Sequence, residues 1–499
     1  MAVTISQKPL YRMLAANEEI IFGVKDTVIV ATKFKVKYVA EVYVGTSGSN
    51  IFTQIKAATL KTTPNNTGIG VFDFSRILES YVSPEYLGGK TVFATGVQYY
   101  TKKNQINYST VPHSIHEIDK HSTNKNACRR FAIRFYIEYA DTIDGTITNT
   151  SGSPTTSDNY YIHNATRQED DILGYESQRG FFGYSYDYHE FVLLDQYAKF
   201  LTNAPTTQYI GENDYCTIGY FAQSDDAVGQ NSELGATIGG AGATRELVKN
   251  FKIRFFDASG SQLGAGYDYP NTVANGSFTW LSNSPIGRVQ FTGVGTANIK
   301  GAGGSLPSTW DYYTIRAFDN AGLPAQISKE YRFYKQEVCK GFEKFRLTWL
   351  NRMGVWDYFN FTKRNVRKVT SKRQTYQQIK GNWNELIYSK NGYKGGTKTF
   401  STSAKEVVTL QTDYITEEAA AWLEELFTSP DVFVLQERTT DDSASTASPS
   451  SSIYQVQNKY VQPCIITSKS YTRKTTANDK LKQYTVDIEM SHSKIIQRA

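Results

Sequence analysis

Long apolar runs are missing from this chain of 499 residues, and so are most of the side chains that carry catalysis. No stretch approaches the roughly 20 apolar residues of a membrane-spanning helix, so no membrane span is expected. The segment Met1-Ala-Val-Thr-Ile-Ser-Gln-Lys-Pro9 has neither the basic start nor the apolar centre of a signal peptide, and synthesis in the cytoplasm is the expectation. Cysteine is sparse. Cys128, Cys216, Cys339 and Cys464 are widely spaced and form no C-x-x-C pair, which argues against a zinc motif or a disulfide framework and for reduced, buried thiols. G-x-S-x-G, H-E-x-x-H, P-loop and dinucleotide signatures are all absent. The glycines of Gly239–Gly242 and Gly301–Gly304 lack the Lys-Ser/Thr or strand-turn-helix frame of a phosphate site. No enzymatic activity and no cofactor are expected.

Of six histidines, three are local: His113, His116 and His121, beside Glu117 and Asp119. The first spacing resembles that of metal ligands, but no downstream ligand pair matches it, and 111–126 also reads as a polar loop. No metal site is assigned. Asp170/Asp171 and Asp225/Asp226 are adjacent pairs, and neighbours on a strand face opposite ways, so neither makes an acid/base couple by itself. The net charge of +6 is small for 499 residues and argues against a dedicated nucleic-acid binder. Its densest cluster is Lys363, Arg364, Arg367, Lys368, Lys372 and Arg373. That cluster fits a solvated strand edge, an interface with an acidic neighbour, or passing nucleic acid.

Aromatic residues are plentiful, at 14% and with 35 tyrosines. Tyr favours strands and presents an apolar body with a hydrogen-bonding tip, which suits half-buried sheets and subunit interfaces. One alternating pattern recurs, in Phe34-Lys-Val-Lys-Tyr38, Phe131-Ala-Ile-Arg-Phe135, Phe251-Lys-Ile-Arg-Phe255, Tyr313-Thr-Ile-Arg-Ala317 and Phe345-Arg-Leu-Thr-Trp349. Period two predicts antiparallel strands with one solvated face. The intervals are irregular, so small sandwich modules are expected rather than a solenoid. Asp257-Ala-Ser-Gly260 and Asp319-Asn-Ala-Gly322 read as tight turns. Residues 141–159 and 224–244 read as loops or boundaries, and 439–452 as a polar loop. Tyr175 to Tyr188 admits a glycan platform beside the commoner reading of core or interface.

Two helices are predicted. Ser75–Val82 follows Asp73 and Ser75 as possible caps and stops before Pro84. Thr416 caps the second, whose stripe is Ala419, Trp422, Leu423, Leu426 and Phe427. Ser429-Pro430 ends it, and Val432–Leu435 follows as a strand. The expected fold is mostly β, with several small antiparallel β-sandwich (Ig-like) modules and a C-terminal α+β module. The expected divisions are 1–140 (N-terminal β), 141–245 (irregular, aromatic-rich), 246–340 (Ig-like β) and 341–499 (α+β assembly).

Phe345-Arg-Leu-Thr-Trp-Leu-Asn-Arg-Met-Gly-Val-Trp-Asp-Tyr-Phe-Asn-Phe361 reads as a hairpin turning at Asn351–Gly354. This segment, the Trp-Leu-Glu-Glu-Leu helix with Ser-Pro-Asp-Val432, the strand ending Ile488-Glu-Met490 and Gly-Val-Phe-Asp-Phe-Ser75 resemble virion structural proteins of tailed bacteriophages. The likeness is to crAss-like and related phages of Bacteroidetes hosts. It covers about a third of the chain and its motifs are structural, not catalytic. Val355 stands where that pattern has a second glycine, so the turn must differ. The resemblance implies a virion component, tail or baseplate-like, assembled in the host cytoplasm. Its expected partners are itself in a ring-like homo-oligomer and other virion structural proteins. Trp349, Trp356, Tyr358, Phe359, Arg364, Arg367 and Lys368 are the expected assembly interface. The alternatives are a tail adhesin that binds a host glycan or receptor and, from another class, a polysaccharide depolymerase.

Overall fold

The computed structural model describes residues 3–9, 12–45, 50–84, 90–92, 98–100, 121–123, 127–167, 189–191, 193, 195–221, 248, 250–270, 289–301, 304–319, 325–336, 342–390, 392–435, 461–468 and 482–491. The chain divides into two compact units. The first is Met1–Gln336 with Leu350–Asp357, and the second is Glu337–Trp349 with Tyr358–Ala499. The expectation of a mostly β, largely antiparallel chain is met: the described residues form several separate sheets and few helices.

The first unit opens with β1 (Thr4–Gln7), β2 (Met13–Ala15), β3 (Ile21–Lys25), α1 (Thr27–Thr32), β4 (Phe34–Gly45), β5 (Ile55–Thr62), β6 (Ile69–Asp73) and α2 (Ser75–Glu79). A short pair, β7 (Lys90–Val92) with β8 (Gln98–Tyr100), and β9 (His121–Thr123) come next. β10 (Cys128–Ala140), β11 (Ile147–Asn149), β12 (Thr155–Thr156) and β13 (Tyr160–His163) complete this part. A small sheet runs β1-β3-β6, and a larger one runs β2-β13-β10-β4-β5 with β11 and β12 also paired to β10. The two sheets share one apolar core. Phe22 of β3 sits 5.9 Å from Phe135 of β10 and 5.5 Å edge-on to Tyr160 of β13. Alternation explains β10. Phe131, Ile133, Phe135 and Ile137 point inward, while Arg134, Tyr136 and Glu138 are half-buried. Tyr38 stitches three elements together. Its hydroxyl donates to the Gly68 carbonyl at 2.7 Å and accepts from the Asp26 amide at 2.8 Å, beside the Asp26 cap of α1.

The structure alters several expectations here. Phe34, expected inside, is exposed, because the strand's buried pattern begins at Tyr38. The 141–159 stretch is not all loop, since β11 and β12 within it pair with β10 across a turn at Thr142–Gly145. α2 ends at Glu79, and Phe74 occupies its cap position, while the Asp73 carboxylate accepts from the Ser75 amide.

The remainder of the first unit holds β14 (Thr207–Ile210), β15 (Thr217–Phe221), β16 (Asn250–Phe256), β17 (Tyr267–Pro270), β18 (Val289–Gly293), α3 (Thr296–Gly301), β19 (Tyr312–Phe318) and β20 (Tyr331–Lys335). One sheet runs β14-β20-β19-β16-β17 and another β15-β18-β9. Most pairings are antiparallel, but β14 runs parallel to β20, and β2 to β13. Tyr220 of β15 lies 5.0 Å from Phe251 of β16, and the Tyr313 hydroxyl donates to the Val294 carbonyl just past β18. These two sheets therefore also face one another. The turn at Asp257 forms as expected. Its carboxylate accepts from the Ser259 hydroxyl and from the Ser259 and Ser261 amides, which holds it below the usual carboxylate range. For the second turn, Asp319 accepts from the Ala325 amide, and 320–324 lie outside the described residues.

The second unit is one seven-stranded sheet with a helix. Its elements are β21 (Phe345–Leu350), β22 (Trp356–Phe361), β23 (Val366–Gln378), β24 (Gly396–Gln411), α4 (Glu417–Thr428), β25 (Val432–Leu435), β26 (Val461–Ile466) and β27 (Thr485–Met490). The order is β22-β21-β25-β26-β27-β24-β23, so β23 is an edge. Leu350 and the first two residues of β22 count with the first unit. α4 starts as expected, with the Thr416 hydroxyl accepting from the Ala419 amide at 3.3 Å. Its buried residues are Ala420, Trp422, Leu423 and Leu426 with Glu424 and Glu425, while Ala419 and Phe427 are only half-buried. Trp422 packs 5.1 Å from Trp349. β21 departs from the expected single solvated face, because all six residues are buried. Arg346 tolerates this by donating to Asn360 at 2.8 Å and lying over the Tyr358 ring.

Candidate functional site

Three of the residues expected at an assembly surface are inside the chain's own fold. Trp349, Trp356 and Tyr358 are all buried, and Phe359 is half-buried 6.1 Å from Trp422. Aromatic content does not distinguish core from interface, and here the large rings fill the core. The turn that carries the resemblance is also inside. Gly354 takes φ +77°, and the Asn351 side chain accepts from the Met353 and Val355 amides. Thr166 donates to the Arg352 carbonyl at 2.7 Å, and Met353 and Val355 join a core cluster with Phe221, Phe291 and Tyr161. Val355 replaces the expected glycine without strain, because Gly219 opposite has no Cβ for it to strike.

The basic half of the expectation leads outward. Arg367 at the base of β23 pairs with Glu343 and Glu406 and lies over Phe345. Lys363 holds Asp413 at 2.8 Å. Partial burial pushes that carboxyl up, but the Lys363 hydrogen bond and the Tyr414 amide carry it below the usual value. Arg364, Lys368, Lys372 and Arg373 are exposed. β23 and β24 pair from Val366↔Thr409 to Gln378↔Gly396, but β24 meets β27 only over Val407–Gln411. Beyond Thr370 and Lys405, then, the described residues form a two-stranded arm, about 30 Å long at the usual rise per strand residue.

Every residue of β23 except the last is exposed. Its shaft is held by polar cross-strand pairs, Ser401 to Gln374 at 2.9 Å and Thr397 to Gln377 at 3.0 Å. Phe400 is the extra residue of a bulge opposite Gln374 and Thr375, and its ring is exposed. The tip has internal structure. The Asn382 amide donates to the Ser389 carbonyl at 3.1 Å, closing a loop whose apex is Leu386 and Ile387. The Asn382 side chain donates to Glu385 and Ser389 and accepts from Lys394. Trp383 donates to the Lys380 carbonyl and sits 5.3 Å from Tyr388. Even so, the tip is apolar toward solvent: Leu386 is 105%, Ile387 77% and Trp383 71% exposed, and Ile379 and Tyr393 are exposed as well.

Charge gathers on the same two strands and the tip that joins them. Between Val366 and Gln411 stand nine Lys and Arg against two Glu, a net +7, whereas the whole chain carries +6. The rest of the molecule is thus close to neutral. The sequence marked one end of this concentration, Arg367, Lys368, Lys372 and Arg373, but not its continuation through Lys380, Lys390, Lys394, Lys398 and Lys405. The tip residues Trp383, Leu386, Ile387 and Tyr393, and Phe400 on the shaft, were not singled out by the sequence. Their signal is a run of apolar side chains with neither helical nor strand period inside a Lys-, Gly- and Asn-rich stretch.

Other expected features fall differently. His121 lies on β9 rather than in a loop, paired with Thr292 of β18, while His113 and His116 are outside the described residues. So are Asp170/Asp171, Asp225/Asp226 and the Tyr175–Tyr188 segment. Among the described residues no group of three or more His, Cys, Asp and Glu could hold a metal ion, and no helix is long and apolar enough to cross a membrane. Cys128, Cys216 and Cys464 are buried thiols, and burial pushes Cys464 up to about 12. No protein-family model matches this chain, and no curated protein matches it.

Proposed function

We propose that this chain is a structural subunit of a bacteriophage virion, in the tail or attached to it, that acts through subunit–subunit assembly rather than catalysis. The observation that carries the reading is the β23–β24 arm. An isolated two-stranded ribbon is marginal in water, and a long open strand edge is a template for pairing. A chain that maintains thirteen residues of such an edge, ending in exposed apolar side chains, has a contact to make there. The resemblance of the 345–361 hairpin and the Trp422 helix to phage virion proteins supplies the setting, and a ring-like oligomer is the form such a subunit takes.

The test shortens the arm. Residues 374–401 are replaced by Asn-Gly, joining the directly paired Arg373 and Thr402 through a two-residue hairpin turn. Mass photometry of the full chain should give a closed oligomer, and the shortened chain should remain folded by circular dichroism but stay monomeric. Peptides of the full chain should also appear in purified particles. A full-length protein that stays monomeric at every concentration and is absent from particles overturns the reading.

A further inference from the structure

The arm's end has a chemistry of its own. Its side chains are sorted by position along the hairpin. Leu386 and Ile387 occupy the apex, aliphatic and exposed. Trp383 and Tyr388 flank them, each an apolar ring with a polar edge, and Tyr393 stands farther from the apex, between Lys390 and Lys394. Lys380, Lys390, Lys394 and Lys398 lie toward the shaft, and the tip's only acid, Glu385, accepts from Asn382. Aliphatic apex, aromatic belt and lysine collar repeat the order of a lipid interface from acyl chain to headgroup. The chain's positive charge on this arm is complementary to an anionic surface.

We infer that the tip of the β23–β24 arm docks on an anionic lipid surface, with Leu386 and Ile387 entering the acyl boundary and the lysines meeting the headgroups. Single-stranded nucleic acid fits less well. Stacking uses aromatic faces, and it gives no role to two aliphatic side chains at the apex. The tip of a second copy fits less well also, because two tips rich in lysine repel. The apex enters only to interfacial depth, since the loop's backbone groups need water or headgroups as partners. This inference rests on the reading of the arm as a contact element, and it assigns the tip, not the shaft, to lipid.

The experiment is co-flotation of the full chain with vesicles of phosphatidylcholine alone and of phosphatidylcholine with phosphatidylserine. Trp383 fluorescence is read in parallel, because the other described tryptophans are buried. Binding is expected to the phosphatidylserine vesicles, with a blue shift and loss of quenching by acrylamide. The double variant Leu386→Ser/Ile387→Ser should weaken it at least tenfold, and Lys380→Gln/Lys390→Gln should weaken it and remove its salt dependence. Both variants should keep the oligomeric state of the parent, because the shaft is intact. Absence of flotation, or flotation that both variants retain, overturns the inference. So does tip-dependent binding to single-stranded DNA, or tip-dependent self-association, in place of lipid. If flotation fails while arm shortening still abolishes the oligomer, the assembly reading stands and the lipid inference alone falls.

Discussion

At Gly354 the backbone turns with φ +77°, and a Cβ added there would run into the Asn164 carbonyl. Gly354→Ala therefore meets both a disfavoured backbone conformation and a backbone atom that cannot move away. A loss of about 3 kcal/mol or more is expected, read from urea denaturation. His163 makes the second prediction at this scale. It is buried, its Nδ1 lies 2.8 Å from the Leu14 carbonyl, and burial pushes it down to about 4, with the Arg167 charge acting the same way. In the unfolded chain it titrates near its ordinary value of about 6.5. Above that pH it is neutral in both states. As pH falls from about 6.5 to 4 the unfolded state takes up a proton that the folded state refuses, so stability drops, by up to roughly 3 kcal/mol. His163→Gln should lose about 2.5 kcal/mol less between pH 7 and 4.5, measured by denaturant midpoints. The sequence marked the position of Gly354 because a turn between two strands needs such a residue. It gave no hint that His163 would be sealed, because burial there comes from strands far apart in the chain.

Among the elements, α4 was the most legible. A capping Thr, two acids in the first turn, an apolar stripe and a terminating Ser-Pro are all local signals, and the helix runs over Glu417–Thr428. Thr416→Ala removes the hydroxyl that accepts from Ala419 and should cost about 1 kcal/mol, whereas Thr416→Ser should be nearly neutral, both by thermal unfolding. The stripe kept Trp422, Leu423 and Leu426 where the helix settles on Trp349, but Ala420 is buried in place of Ala419, and Glu424 and Glu425 are buried as well. The β21–β22 hairpin was legible from its turn. Whether its rings met solvent, a second subunit or the chain's own core was not, since a buried Trp and an interface Trp have the same local sequence. β23 gave the weakest signal of all. Its residues face water on both sides, so no core selects an alternation, and what remained in the sequence was a cluster of positive charge.

For the whole molecule the relevant quantity is where the charge and the exposed apolar surface fall. Both collect on the β23–β24 arm, and this makes arm shortening, rather than any single substitution, the test of assembly. A predominantly β chain with signals for antiparallel strands, tight turns and one capped helix follows from the sequence alone, because those signals are local. Each depends on residues within a few positions of one another. Which strands share a sheet, which aromatic rings are buried, and the projection of the β23–β24 hairpin beyond its sheet from Thr370 and Lys405 outward were decided only by the tertiary structure. These depend on pairings between distant segments, such as β24 with β27, that no local pattern encodes. The arm stands out for a simple reason: β27 stops at Met490, and from Thr370 and Lys405 outward the two strands have, among the described residues, only each other.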